Sequence, residues 1–295
     1  MTKTLTMTMN AAGRRFLFRA ALAGSVAALL LACGKQDAAT SAPAASGAAA
    51  SGTSARVLVV GTDAAYAPFE SQNEKGEIVG FDIDVVKAVA HKAGLEVKFV
   101  NTPWEGIFNA LKQGDRDLLV SSITITDERR QTMDFTAPYF DAHQLIAVRA
   151  DSKVARFDDL KTLKVGVQTG TTGDEAISKL QGKTSPNIKR FEGTPLALSE
   201  LETGGIDAVL ADNGVVVNYV KNNGGNKFKT VNDPAFTPEQ YGIAVKKGNA
   251  ELLDKLNKGL AAIRADGTYD RIYAQYLGAP APAGGASGPA AAASK

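Results

Sequence analysis

Cysteine, histidine and tryptophan are nearly missing from these 295 residues: there is one Cys, there are two His and there is one Trp. One cysteine, Cys33, excludes a disulfide within the chain and any multi-cysteine metal site. His91 and His143 are not spaced as a ligand pair, so no metal and no other cofactor is expected. Long hydrophobic runs are also lacking. The uncharged run Ala20–Ala32 is 13 residues long, too short for a stable helix across a hydrocarbon core of about 30 Å. Nor is there a large excess of one charge. Lys+Arg number 33 against 31 Asp+Glu, and Lys3, Arg14, Arg15 and Arg19 all precede Cys33 with no acid among them, so the remainder is 29 against 31, or −2. No long basic patch is left to neutralise phosphates, and nucleic acid is not an expected partner. With 44% hydrophobic and 22% charged residues, the chain should form one or two packed domains.

The ends of the chain read differently from its middle. Arginines followed by a short apolar run and a small residue fit a secretory signal over residues 1–33. Leu30-Leu31-Ala32-Cys33-Gly34 resembles a lipobox, which makes Cys33 the expected lipidation site and a lipid the expected anchor on the periplasmic side of the envelope; Leu31 departs from the small residue more usual there. The Arg14-Arg15 pair leaves open export by a twin-arginine route. Residues 34–55 hold nine Ala, four Ser, three Gly, two Thr and one Pro, a composition that cannot bury a core and reads as a linker. Residues 279–295 repeat it as a tail, leaving about 223 residues, Arg56 to Gly278, to fold.

Inside that central region, a pair of stretches echo one another. Arg56-Val-Leu-Val-Val-Gly61 and Leu163-Lys-Val-Gly-Val-Gln168 are short apolar runs of the kind that form buried strands. Leu111, Gly114 and Asp117 recur as Leu201, Gly204 and Asp207, each pair 90 residues apart. Helices are expected over Ile83 to Lys92 after an N-cap at Asp82, from Pro103 through Leu111, over a stretch bearing Leu252, Leu256, Leu260 and Ile263, and from a cap at Thr268 onward. Alternating strands and helices predict two α/β lobes with largely parallel sheets, whose ligand would sit beyond the carboxyl ends of the strands. The Gly-rich stretch Gly166 to Gly173 lacks the lysine of a phosphate loop.

Gly61-Thr-Asp63-Ala-Ala-Tyr66-Ala-Pro68-Phe69-Glu70, Gly80-Phe-Asp82-Ile-Asp84, Ser121-Ser-Ile-Thr-Ile-Thr-Asp-Glu-Arg129, Met133-Asp-Phe-Thr-Ala-Pro-Tyr139, Val165-Gly-Val-Gln-Thr-Gly-Thr-Thr172, Ile206-Asp-Ala-Val-Leu-Ala-Asp212 and Gln240-Tyr-Gly-Ile-Ala-Val245 follow in that order. In this series the chain resembles the polar amino-acid-binding family of periplasmic substrate-binding proteins that feed ABC importers. The resemblance implies an α/β two-lobed periplasmic-binding-protein fold, a type II clamp with a double crossover hinge near Tyr139 to His143 and Thr237 to Tyr241. Lobe 1 would be residues 56–142 and 241–278, and lobe 2 residues 143–240. It further implies a monomer that binds a free amino acid and hands it to a membrane permease.

The same resemblance assigns roles to residues. Arg129 would grip the ligand α-carboxylate with its planar fork, aided by backbone N–H groups where Thr171 and Thr172 enter a helix. Its position beside Asp127 and Glu128 is equally that of a surface arginine. Asp212 would accept the α-ammonium, with Ser122 and Thr124 opposite, and Ser121 and Gln168 complete the lining. Tyr66 and Trp104 would sandwich the side chain, a contact worth roughly 0.5–2 kcal/mol for a cation; by spacing alone Trp104 is a core residue of its helix. Asp63 and Asp82 would lie at the far end of the pocket. Two carboxylates and two rings favour arginine, lysine, ornithine or histidine. Glutamine or another polar amino acid is the alternative ligand, and a prephenate- or arogenate-dehydrating enzyme, which needs a general acid in the cleft, is the alternative class. A fused sensor is a third possibility.

Overall fold

The computed structural model describes residues 56–278. The expected signal (1–33), the lipidation site Cys33, the linker (34–55) and the tail (279–295) lie outside the described residues. The chain opens with β1 (Leu58–Thr62), a small meander of β2 (Ala65–Tyr66), β3 (Glu70–Gln72) and β4 (Ile78–Val79), then α1 (Phe81–Ala93), β5 (Val97–Asn101), α2 (Trp104–Gln113), β6 (Leu118–Leu119), α3 (Asp127–Thr132), β7 (Met133–Phe135) and β8 (Phe140–Ala142). It continues through β9 (Gln144–Arg149), β10 (Val165–Gln168), α4 (Thr172–Gln181), β11 (Ile188–Phe191), α5 (Thr194–Thr203), β12 (Ala208–Asp212), α6 (Asn213–Tyr219) and β13 (Phe228–Val231). It ends with β14 (Glu239–Tyr241), β15 (Ala244–Lys246), α7 (Ala250–Ala265) and α8 (Thr268–Leu277).

Two five-stranded sheets result, one ordered β5-β1-β6-β15-β7 and the other β11-β10-β12-β9-β13. Both have the same pairing: two parallel pairs on one side and two antiparallel pairs on the other. The expectation of largely parallel sheets is therefore corrected. The antiparallel half arises because β15 and β9 enter their sheets directly after the chain has crossed from the other one, without an intervening helix to turn them round. The crossing segments β8 and β14 pair antiparallel, with Phe140 opposite Tyr241.

The 90-residue echo has one structural meaning in both sheets. Leu111 and Leu201 are buried on their helices, and Gly114 and Gly204 end those helices at φ values of 90° and 82°, where a side chain would be strained. The Asp117 and Asp207 carboxylates each accept a backbone N–H at 2.8 Å, from Val59 and Lys164 respectively. In the second sheet, Leu145 and Ala147 face one core and Ile146 and Val148 the other. Covering both faces removes any polar alternation from the strand, which is why β9 reads as a continuous apolar run.

The other core gathers aromatic rings where the crossing segments begin. Phe69 lies 6.0 Å from Phe81, 5.0 Å from Phe140 and 5.6 Å from Tyr241, all edge to face. The start of α1 is pressed onto this group: Phe81 and Asp82 donate their backbone N–H to the carbonyls of Pro68 and Phe69 at 3.0 and 2.9 Å. A Cβ on Gly80 would overlap the Phe69 carbonyl, and Gly80 itself holds the N-cap position. Asp82 is thus a buried first-turn residue and not the cap expected from its side-chain type.

Gly259 interrupts the middle of α7, where helix propensity disfavours it by about 1 kcal/mol relative to Ala. A Cβ there would overlap the Val89 carbonyl on α1. Gly259→Ala should therefore destabilise the protein by about 1–3 kcal/mol in urea unfolding, the sign opposite to that of the propensity scale. A stabilised variant would show that the two helices separate freely.

Candidate functional site

Between the two sheets lies a narrow cavity lined by Asp63, Tyr66, Glu70, Trp104, Ser121, Ser122, Thr124, Arg129, Gln168, Thr171, Thr172 and Asp212. Eleven of the twelve residues singled out from the sequence line it, and Asp82 does not. Their convergence follows from topology. Asp63, Ser121, Gln168 and Asp212 follow or end β1, β6, β10 and β12, the strands whose carboxyl ends face the interval between the sheets.

Hydrogen bonds across the cavity join the lobes directly. Gln168 Nε2 donates to Asp63 Oδ2 at 3.1 Å, and Arg129 Nη2 reaches the Gly170 carbonyl at 3.5 Å. Arg129 Nη1 donates to the Thr124 carbonyl at 2.8 Å, and its guanidinium lies 5.3 Å from the ring centres of both Trp104 and Phe108. Trp104 therefore serves as a cavity wall and as a platform that fixes the cation. Burial draws the Arg129 pKa down, against the opposing charges of Glu175, Asp212 and Glu239. The Thr171 hydroxyl caps α4, accepting from Asp174 N–H at 3.2 Å.

Asp212 is the most heavily engaged lining carboxylate. Tyr241 donates its hydroxyl to Oδ2 at 2.6 Å, Gln144 Nε2 donates to Oδ1 at 2.5 Å, and the Tyr66 hydroxyl adds a third bond. Burial still raises its pKa to about 6, with the Glu239 charge contributing and the Tyr241 bond opposing. Burial likewise raises that of Asp63, opposed by the Gln168 bond. Ser121 Oγ accepts from Asp63 N–H at 3.0 Å and lies 3.1 Å from Glu70 Oε1. Ser122 adopts φ 48°, a left-handed conformation unusual for a residue with a side chain, and its N–H donates to Asp82 Oδ2 at 2.8 Å.

Asp82 is corrected from cavity lining to a fully buried position. Its Oδ2 is taken by the Ser122 N–H and by the Tyr139 hydroxyl at 2.6 Å, and Glu70 occupies the place at the cavity wall. Sequence reasoning assigned no role to Glu70, although it closes the Pro68-Phe69-Glu70 motif. It also missed Glu239, whose Oε2 accepts from Thr124 Oγ1 at 2.6 Å and Thr172 Oγ1 at 2.9 Å and whose Oε1 accepts from Gln144 Nε2 at 3.0 Å. A hydroxyl has one proton. With those protons donated to Glu239, Thr124 and Thr172 turn lone pairs to the cavity. No sequence signal marks this contact, because Glu239 lies 115 residues from Thr124 and 67 from Thr172.

A model of the bacterial extracellular solute-binding proteins, family 3, matches residues 58–279. The chain belongs to that family. It is 46% identical over 259 residues to a probable histidine-binding protein of Neisseria gonorrhoeae, covering 88% of this chain and 94% of that protein. It is 36% identical over 229 residues to ABC transporter arginine-binding protein 1 of Escherichia coli K12, covering 76% and 92%. The crystal structure of the arginine-, lysine-, histidine-binding protein ArtJ from Geobacillus stearothermophilus is similar with a TM-score of 0.74 and 45% identity, covering 77% of this chain and 97% of that one. The α/β two-lobed fold is that of these periplasmic amino-acid-binding proteins. The family is one of solute-binding proteins, so the dehydrating-enzyme alternative is set aside.

The two neighbours of Asp212 act on it in opposite senses, which can be read by carboxyl-carbon NMR titration. Glu239→Gln should lower the Asp212 pKa below about 6 and Tyr241→Phe should raise it above that value. An Asp212 pKa unmoved in both variants would show that neither contact exists in solution.

Proposed function

We propose that this protein captures a cationic amino acid in the cavity between its lobes and delivers it to the permease of an ABC importer. The charge count of the cavity carries this reading: three carboxyl groups, Asp63, Glu70 and Asp212, line it with one guanidinium, Arg129. The α-carboxylate and α-ammonium of any amino acid use one group of each sign, Arg129 with the N-terminus of α4 for the former and Asp212 for the latter. Asp63 and Glu70 are left for the side chain, between the rings of Tyr66 and Trp104, and a positive group satisfies them best. The names of the relatives, which bind histidine, arginine or lysine, support the same class.

The ligand contacts both lobes only when they are closed, so binding shifts the population to the closed clamp that the permease would recognise. Lobe 1 as residues 56–142 and 241–278, and lobe 2 as residues 143–240, are the rigid bodies of that motion. We further propose that the segment before Cys33 is removed on export, that Cys33 carries the lipid, and that the monomer works at the periplasmic face. No helix among the described residues is long and apolar enough to cross a membrane. Cys33→Ser should move the protein from the membrane to the soluble fraction of cells; unchanged partitioning would remove the lipid from the account.

A thermal-shift panel of the amino acids, ornithine and prephenate decides the ligand class, since saturation at 100 times Kd adds about 2.7 kcal/mol of stability. Arginine, lysine, ornithine or histidine should raise the melting temperature, whereas a rise with glutamine alone would overturn the cationic assignment. Arg129→Ala and Asp212→Ala should each weaken binding by about 30-fold or more, some 2 kcal/mol, while unfolding remains cooperative. Calorimetry giving wild-type affinity in both would remove them from the site.

A further inference from the structure

Glu70 and Asp82 are both fully buried, yet one is an element of the cavity wall and the other lies behind it. The backbone forces them together. Asp82 lies in the first turn of α1, whose first two N–H groups are bonded to the carbonyls of Pro68 and Phe69, the residues immediately before Glu70. The donors around the pair are committed: Ser121 and Ser122 hydroxyls lie 3.1 and 3.4 Å from Glu70, and Ser122 N–H and the Tyr139 hydroxyl serve Asp82 Oδ2. Asp82 Oδ1 is buried with no donor from these or any other described group. One residue serves both carboxyl groups: Ser122 donates its N–H to Asp82 Oδ2 at 2.8 Å, and its hydroxyl lies 3.4 Å from Glu70 Oε2. Two carboxylates buried on one serine cannot both ionise without strong repulsion, which favours a proton on one of them.

The titratable groups that act on the pair are Asp63 at the end of β1, Tyr139 before β8 and Tyr269 on α8, with Tyr66 of β2 facing Glu70. All are acids that are neutral or negative; the one cation of the same cavity wall, Arg129, is engaged by the Thr124 and Gly170 carbonyls and by the Trp104 and Phe108 rings. A double negative charge in this low-dielectric site is therefore strongly unfavourable. A cation entering from the cavity reaches Glu70 and changes that balance.

We infer that Glu70 and Asp82 hold one proton between them in the ligand-free protein and release it to solvent when a cationic side chain settles on Glu70. This rests on the cationic reading of the site and adds how the site distinguishes charge: a positive side chain replaces the proton, and a neutral one leaves it in place. Burial and mutual repulsion push Glu70 well above the ordinary carboxylate range, and burial takes Asp82 to about 6, the same direction the geometry requires. Because the proton and the cation compete, apparent affinity for a cationic ligand should rise with pH, by at most about tenfold per unit, and level off once the pair is ionised.

Two measurements on the full-length chain test this. First, arginine binding is followed calorimetrically near pH 6.5 in buffers of different ionisation heat. Net release of up to about one proton per arginine is expected. Asp212 and Asp63 also titrate, so the share belonging to the pair is the fraction lost in Glu70→Gln. Buffer-independent heats, or the same release in wild type and variant, would overturn the inference while leaving arginine binding intact. Second, thermal stability without ligand is compared from pH 4 to 8. Both pKa values are raised above their unfolded values, so the pair's stabilisation is complete below about pH 4 and is lost as pH rises through the folded values. Wild type should therefore lose more melting temperature over this range than Glu70→Gln, or than Asp82→Asn should that variant fold better. Parallel curves would refute the shared proton. If arginine gives no heat at all, the cationic reading fails, and the second comparison still decides whether the pair holds a proton.

Discussion

Carboxyl groups outnumber cations around the interlobe cavity, and much of the local structure answers to that imbalance. Asp212 takes the hydroxyls of Tyr66 and Tyr241 and the amide of Gln144, Asp82 takes Tyr139 and a serine N–H, and Asp63 takes Gln168. Each of these is a neutral donor, able to steady a charge but not to cancel it. The single guanidinium, Arg129, is held off on the rings of Trp104 and Phe108 and on backbone carbonyls. The site is built to be completed by a molecule that brings positive charge with it.

The crossover ribbon is where this chemistry meets the mechanics of the clamp. Phe140 and Tyr241 sit opposite each other on β8 and β14 and are locked by Phe69 into an aromatic core. From that fixed position the Tyr241 hydroxyl reaches Asp212 at the end of β12. Two residues earlier, Glu239 holds Thr124 and Thr172 from opposite sides of the cavity. A crossover strand thus contacts cavity-lining residues from both sheets, so the orientation of those residues depends on where the ribbon lies.

Much of the arrangement is legible in the chain. The Leu-x-x-Gly-x-x-Asp echo marks a helix end, a left-handed glycine and a carboxylate that fastens the next strand, and it does so twice with the same partners in kind. Such local grammar survives because it is satisfied within a few residues or by the adjacent strand. The polar residues that follow the apolar runs fall at strand ends, and strand ends of one sheet type face one way. Asp82 shows where this reasoning stops. Its residue type suits an N-cap and a pocket, but Gly80 brings α1 so close to Phe69 that the carboxylate is drawn under the floor.

The sequence by itself determined the two matched α/β halves and the set of polar groups available to a ligand, because periodicity, glycine stops and strand-end polarity are local properties. It also separated the basic N-terminal segment from a mildly acidic remainder, by arithmetic alone. Only the tertiary structure decided that half of the strand pairs in the two five-stranded sheets are antiparallel, that Glu70 and not Asp82 faces the cavity, and that Glu239 and Gln144 orient its walls. Those outcomes depend on which distant segments are pressed together and on which buried acid finds a donor. Neither is set by the neighbours of a residue in the chain.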